Sequence, residues 1–480
     1  RIPHNGKSPA FCQNFYYIFP VCMKNLPLLG HTRYNTSMIE LPQSARTIID
    51  SLKHAGLEAY AVGGSVRDLL MGRPTKGWDF TTSAKPEDLL NIFPDSFYDN
   101  QFGTVGIKMP DDIYEVTTYR SEKEYSDHRH PDNIEWGKTL TEDLSRRDFT
   151  INAIAYDGKT LTDPYHGQED LKNKIIRAVG DPAKRIEEDA LRQMRAVRIA
   201  SELGFMIEPA TLGAIKKNVH LIQDISVERV RDELLRILAS PFAADGILLL
   251  KQTGLLKIIL PELDAAFAIG QKSPARHHIY DVGTHSVMAL KHCTSKDPVV
   301  RLATLLHDIG KVPTYKVDEK GIITFYNHEM VSTKLTKAIV NRLRFSRKQI
   351  EKILTLIRWH QFTVDERQTD NALRRFIRHV GRENLTDMLA LRTGDRLGGG
   401  AAETSWRMEL FKKRLEEVQK QPFTVADLKI NGFDVMKTLK IKPGPEVGKV
   451  LSDLFAEVEA GKLKNEREEL LARLKQFPLN

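Results

Sequence analysis

The sequence predicts an α+β fold in which a mixed sheet with helices fills the N-terminal third and the remainder is mostly α-helical. Three observations carry that prediction. The 480-residue length exceeds what one hydrophobic core usually serves, so several domains are expected. Up to about Asp157–Asp163, short apolar runs separated by glycine and proline turns dominate. Beyond Leu171, long helical periodicities take over.

Ser44 to Gly56, "SARTIIDSLKHAG", reads as a capped amphipathic helix closed by a glycine. "LEAYAV" follows as a strand, and "GGSVRDLLMG" as a glycine turn running into a short helix. "WDFTT" is a strand, and "SAKPEDLLNIF" a helix with Ser83 as its expected N-cap and Pro86 in its first turn. "TVGIKM", the turn "PDD" and "IYEVTTY" form a hairpin. In the second half, "EEDALRQMRAVRIASEL" and "VERVRDELLRILAS" are helical. A helical block from about His277 to Gly400 holds most of the histidines, and "GGGAA" at Gly398–Ala402 marks a boundary before a helical tail.

Hydrophobic content of 41% and charged content of 28% are ordinary for a globular protein. A formal net charge of +8 suits a polyanionic partner without requiring one. Cys12, Cys22 and Cys293 give neither a disulfide framework nor metal-ligand spacing, which favours a reducing compartment, and the cytoplasm is expected. Residues 1–37 lack any acidic side chain, and "FCQNFYYIFPVC" is too short and interrupted to span a membrane. They are expected to be an extraneous or disordered leader, with the working protein beginning near Met38; a transit peptide is the other reading. No other apolar run suggests a membrane segment.

Several motifs carry chemistry. In "VGGSVRD", Gly63 and Gly64 between a strand and a helix let backbone N–H groups approach a phosphate chain, and Arg67 can add a bidentate contact. A purely structural tight turn is at least as common. Asp79 in "GWDFT" and Glu115 in "YEVTTYR" are strand carboxylates of the kind that hold Mg²⁺ for phosphoryl transfer when they share a face. "EDLSRRDFTINAIAYD" supplies Arg146, Arg147, Asp148 and Asn152, either a solvated patch or a ribose- and phosphate-binding set. Asp189, Arg192, Arg195 and Arg198 follow at three-residue steps. Such a row is usually an intrahelical salt-bridge ladder; the sharper reading is a donor–acceptor set for a base edge with arginines facing phosphate.

In this order, "GGSVRDLLMGRPTKGWDFTT", "YEVTTYR", "DLSRRDFTINA" and "EEDALRQMRAVR" closely resemble the successive motifs of the class II tRNA nucleotidyltransferases, the CCA-adding enzymes and related bacterial poly(A) polymerases. The resemblance runs from about residue 40 to the end and includes "INGFDVMK" and "PGPEVG". It implies a nucleotidyltransferase palm over residues 38–165 and a helical neck and body with a nucleotide-selecting helix over 166–270. A tRNA-binding helical tail over 401–480 completes it. It implies that Gly63, Gly64 and Arg67 bind the incoming triphosphate, and that Asp79 and Glu115 are catalytic with Mg²⁺ on Asp79. Arg146, Arg147, Asp148 and Asn152 would handle ribose and phosphate, and Asp189 and Arg192, with Arg195 and Arg198 behind them, would select C or A. Ser121–Trp136 matches a loop used in switching from C to A, and Glu228 and Arg229 match a helix that braces the selecting helix.

One position departs from the pattern. The family's strand carries Asp-x-Asp, and the position matching the first aspartate is Gly77. Losing one metal ligand removes charge compensation, so slow or absent nucleotide addition is expected, with Asp68 or Glu115 as partial substitutes.

The histidine block adds a second centre. "RLATLLHDIGK" places His307 and Asp308 at the end of an apolar helix; a lone buried histidine is usually a hydrogen-bonded core residue, but an adjacent His-Asp pair is costly to bury without a role. With His285 upstream and Asp395 downstream, the pattern resembles the HD phosphohydrolase superfamily and implies an HD domain over residues 271–400. His285, His307, Asp308 and Asp395 would bind a divalent transition metal or Mg²⁺, and His328 and His360 match the extra histidines of two-metal members. Lys311 is near enough in sequence to steady phosphate.

The expected function is tRNA 3′-terminal CCA addition or repair from CTP and ATP, with tRNA as partner and no membrane. Three alternatives stay beside it: an HD phosphohydrolase acting on RNA ends or nucleotides with a degenerate transferase half, a poly(A) polymerase, and a non-catalytic tRNA-binding protein. Oligomeric state is not readable.

Overall fold

In a computed structural model, residues 40–75, 77–98, 103–123, 133–137, 139–271, 280–319, 321–419, 425–460 and 462–477 are described. The expected leader over residues 1–37 lies outside them, as do residues 124–132 of the loop Ser121–Trp136. The chain divides into two compact units, one of residues 1–121 and 134–171, the other of residues 122–133 and 172–480.

The first unit is built on a mixed sheet, as the punctuated runs predict. Its strands are β1 (Ala59–Val62), β2 (Asp79–Thr82), β3 (Ser96–Tyr98), β4 (Thr104–Lys108), β5 (Ile113–Thr118), β8 (Ala155–Tyr156) and β9 (Leu161–Thr162). Two further short strands, β6 (Arg120–Lys123) and β7 (Asn133–Trp136), pair with each other. The seven strands lie in the order β3-β4-β5-β2-β1-β8-β9. β2 runs parallel to β5 and antiparallel to β1, while β4 and β5 form the expected hairpin with Lys108 opposite Ile113.

Helix Gln43–His54 buries Ala45, Ile48, Ile49 and Leu52, a spacing that places all four on one face. Full burial of each isoleucine or leucine contributes about 1.5–3 kcal/mol. β2 sits fourth in the sheet, so Phe80, Thr81 and Thr82 are buried and only Asp79, at its first position, is exposed. β5 alternates, with Tyr114, Val116 and Thr118 buried and Ile113 and Glu115 exposed.

Ser83 does not cap the next helix. Pro86–Ile92 is preceded by Lys85, whose backbone N–H donates to Asp88 Oδ2 at 3.0 Å, and the Ser83 hydroxyl instead accepts the Glu58 N–H at 2.9 Å. The backbone N–H just before β1 captured the hydroxyl that a local signal assigns to a cap.

The second unit is helical. The stretch read as one helix from Glu187 to Leu203 is broken: one helix spans Pro182–Glu188, a second Arg192–Leu203, and Asp189 between them is extended at φ −139° and ψ 102°. The Asp189 carboxylate accepts the Leu191 N–H at 3.0 Å, a local bond that competes with helix continuation. Helices Val282–His292, Pro298–Leu306, His328–Arg342, Arg347–Trp359 and Leu385–Gly398 carry the histidine block. The last stops at the glycine-rich boundary, and Trp406–Gln419 follows. The tail helices Gly432–Leu439, Pro445–Glu459 and Arg467–Lys475 share an apolar core around Val435, Leu454, Leu470 and Leu474. Among the described residues, no helix is long and apolar enough to cross a membrane.

Candidate functional site

In the first unit, Asp79 of β2 and Glu115 of β5 are register partners on adjacent parallel strands, so both carboxylates rise from one face at neighbouring positions. On its other side Asp79 pairs with Val62, the residue before the glycine turn. Gly63 has φ +78°, a conformation that L side chains rarely adopt. A Cβ there would lie 3.4 Å from both Asp79 Oδ2 and Arg147 Nη1, so a glycine lets these two groups close over the turn.

The arginines are held by a network. Arg67 is buried; its Nη1 donates to Asn152 Oδ1 at 2.9 Å and its Nε to Asp68 Oδ1 at 3.0 Å. Asn152 donates in turn to Asp148 Oδ1 at 3.0 Å, which also accepts the Phe149 N–H at 2.8 Å. Arg146 and Arg147 reach Asp143 at 2.6 Å and 3.1 Å. Gly63, Gly64, Arg67, Asp79, Glu115, Arg147, Asp148 and Asn152 thus belong to one sheet-end assembly. Asp68, offered as a substitute metal ligand, is instead engaged by Arg67.

Asp143 escaped the sequence reading, although its place three and four residues before the arginines is the spacing of helix-turn pairs. Burial alone would raise its carboxyl, but Arg146 and Arg147 outweigh that and hold it below the usual carboxylate range. Its stabilising contribution is therefore complete at neutral pH and is lost as pH falls through the folded-state value. Asp143→Ala is expected to cost about 3 kcal/mol, because it removes the buried carboxylate that pairs with both arginines. Denaturant unfolding of the full chain checks this, and a loss below about 1 kcal/mol contradicts it.

In the second unit, Asp189 lies at the helix break, 3.6 Å from Arg229 Nη2. Arg192 Nη1 donates to Glu188 Oε2 at 2.7 Å and to the Arg185 carbonyl at 2.8 Å, so Glu188 is a further unanticipated member. Arg195 is half-buried. Arg198 does not face solvent: it is buried, with Nε donating to Glu233 Oε2 at 2.6 Å and Nη1 to Glu202. Three-residue steps carry it to the packed side of its helix, where a phosphate contact has no access.

The histidine centre assembles from five helices. His285 Nε2 lies 3.2 Å from Asp395 Oδ1 and 3.4 Å from His307 Nε2. His307 Nε2 lies 3.3 Å from Asp308 Oδ2, and His328 and His360 approach Asp308 Oδ1 at 3.3 Å and 3.8 Å. His307, His328 and His360 each place Nδ1 on the carbonyl three residues back, Thr304, Phe325 and Ile357, at 2.7, 2.9 and 2.7 Å. A carbonyl only accepts, so Nδ1 carries a proton and Nε2 faces the carboxylates.

Burial would lower His307, yet Asp308 and Asp395 overcome it and raise the ring to about 10. Burial, then the neighbouring His307 charge, pushes His360 down to about 3. Burial would raise Asp308, but the charges of His307 and Lys311 hold it well below the usual range. Such a cluster of facing nitrogens and carboxylates fits a divalent cation in place of the shared proton. Two overlapping groups, His285–His307–Asp395 and His307–Asp308–His360, have their ligand atoms within 4.8 Å of one another. Lys311 is buried and committed to Asp308 Oδ2 at 2.6 Å and Gln271 Oε1 at 2.8 Å, so it holds the Asp308 carboxylate in place.

Three sequence families match the chain: the Poly A polymerase head domain over residues 59–177, the RNA and SrmB-binding site of polymerase A over 204–267, and tRNA nucleotidyltransferase domain 2 over 318–474. The CCA-adding enzyme of Geobacillus stearothermophilus is 34% identical over 445 residues, 90% of this chain and 96% of that protein. That of Geobacillus thermodenitrificans is 48% identical over 215 residues, 44% of this chain and 53% of its own. The crystal structure of the Bacillus stearothermophilus CCA-adding enzyme in complex with CTP superposes with a TM-score of 0.64 at 32% identity, covering 90% of this chain and 96% of that one. With the sheet-end carboxylates, the glycine turn and this end-to-end similarity in hand, the chain belongs to the CCA-adding enzymes, the class II tRNA nucleotidyltransferases.

Proposed function

We propose that this protein builds and repairs the CCA end of tRNA, transferring CMP and AMP from CTP and ATP to the RNA 3′ hydroxyl. One observation carries the reading: Asp79 and Glu115 stand in register beside the Gly63 turn. Enzymes of this family are metal-dependent, and Asp79 and Glu115 would hold Mg²⁺, which supplies Lewis-acid activation of the 3′ hydroxyl and charge neutralisation of the triphosphate.

The chain's own residues do the rest. The Gly63–Gly64 turn admits the triphosphate to the backbone, and Arg67, fixed by Asn152, faces its charge. Arg146 and Arg147, steered by Asp143, hold phosphate and ribose. Asp189 and Arg192 offer an acceptor and donors to the base edge, kept in place by Arg229 and Glu188. Arg198 braces that helix from its buried side. Residues 401–480 are read as the tRNA-binding tail and the cytoplasm as the compartment. Sequencing the product made from tRNA lacking its terminus, Mg²⁺, CTP and ATP tests the reading. Addition stopping after C, C and A supports it; runs of A alone or no addition favours the poly(A) polymerase or non-catalytic alternatives.

A second activity rests on the histidine centre. His285, His307, Asp308 and Asp395 would hold a divalent transition metal or Mg²⁺, with His328 and His360 available to a second ion, supplying a metal-activated water for phosphoester hydrolysis at RNA ends or nucleotides.

A further inference from the structure

We infer that the transferase site of this chain takes one divalent cation, with the Arg147 guanidinium beside Asp79 supplying the positive charge that a second ion would bring. The inference rests on the transferase reading and concerns how its charge is arranged.

Across the sheet at the level of Asp79, the register runs Val62, Asp79, Glu115, Gly106. Only the middle two are carboxylates, so strand neighbours contribute nothing more. Along the chain, the position two before Asp79 is Gly77, whose hypothetical Cβ meets no atom within 4 Å. Asp68, in the helix Gly64–Leu70 that follows the glycine turn, shares its Oδ1 between Arg67 Nε at 3.0 Å and Nη2 at 2.9 Å. Among the described residues, the groups of three or more metal-capable side chains whose ligand atoms lie within 4.8 Å of one another are both in the histidine centre. Two cations about 4 Å apart repel strongly and need shared anionic ligands between them. Two carboxylates fit one ion.

Arg147 fits the remaining role. Its Nη2 is fixed at 3.1 Å on the buried Asp143, while Nη1 stands over the Gly63 turn at the same 3.4 Å distance from a Cβ there as the Asp79 carboxylate. A guanidinium so held is a permanent charge that costs no reorganisation when a triphosphate arrives.

Native mass spectrometry of the full chain, saturated with CTP and Mn²⁺ in the absence of RNA, counts the ions. The histidine centre contributes equally to all variants, so differences report the transferase site. Asp79→Asn is expected to lose one ion relative to wild type, and Gly77→Asp to gain one. Loss of two ions in Asp79→Asn, or a folded Gly77→Asp with the wild-type count, overturns the inference. Loss of none in Asp79→Asn instead defeats the transferase reading itself. If Gly77→Asp does not fold, the Asp79→Asn count decides alone. In the same assay series, Arg147→Gln is expected to weaken CTP binding about tenfold in the wild-type chain and less in Gly77→Asp, where the extra ion takes over its charge. Equal losses in both backgrounds overturn the role given to Arg147.

Discussion

Gly77→Asp is expected to raise the rate of CMP transfer to tRNA lacking its terminus by roughly 10- to 100-fold. Preorganised charge in a transferase site is worth about 10²–10³ in rate, and the resemblance implies a carboxylate at this position that would hold a metal ion. The gain is reduced by backbone strain. Gly77 has φ +78°, where an L residue costs roughly 1–2 kcal/mol, although aspartate is among those that tolerate it best. Space is not limiting, since a Cβ there meets nothing within 4 Å. Single-turnover incorporation of labelled CMP measures the effect, and an unchanged rate would mean that the site does not need a carboxylate there.

Asp308→Asn is expected to lower metal-dependent hydrolysis of phosphomonoesters or cyclic phosphates by at least about 10²-fold while leaving CMP addition within about twofold. Asp308 faces His307, His328 and His360 together, so neutralising it removes the charge that draws a cation into the cluster. Asp79 and Glu115 lie in the first compact unit and Asp308 in the second. Metal analysis of the purified protein should show the matching loss. Hydrolysis that persists at the wild-type rate would assign it elsewhere.

How much of this was legible in the sequence depends on the range of the interaction involved. The outward direction of Glu115 follows from strand periodicity, because it alternates with buried neighbours, whereas Asp79 opens a strand whose other residues are all buried and meets Glu115 only through the β2–β5 register. The histidine centre was legible only through its resemblance to the HD pattern, since 15 histidines and 63 acidic residues leave many partners open to a buried His-Asp pair. Ser83 misled because serine before Pro86 is a strong local cap signal, yet the neighbouring Glu58 N–H claimed its hydroxyl. Asp189 misled differently: helical periodicity continued through it, and only its own side-chain bond to the Leu191 N–H broke the helix. Three-residue steps along the second helix put Arg198 among packed residues with Glu233. Asp143 was hidden because "EDLSRRD" looks like a solvated patch, and nothing local says that the middle carboxylate is fully buried.

Nucleotidyl transfer falls to the β2–β5 carboxylate pair in the reading proposed above. Wild-type protein and Asp79→Asn, each given tRNA lacking its 3′ terminus with Mg²⁺, CTP and ATP, test it most directly by the sequence and yield of extended RNA. Slow addition of terminal CCA is expected from the wild-type chain, with a further loss of at least about 10³-fold in Asp79→Asn with the fold intact. Equal extension by both proteins would contradict it.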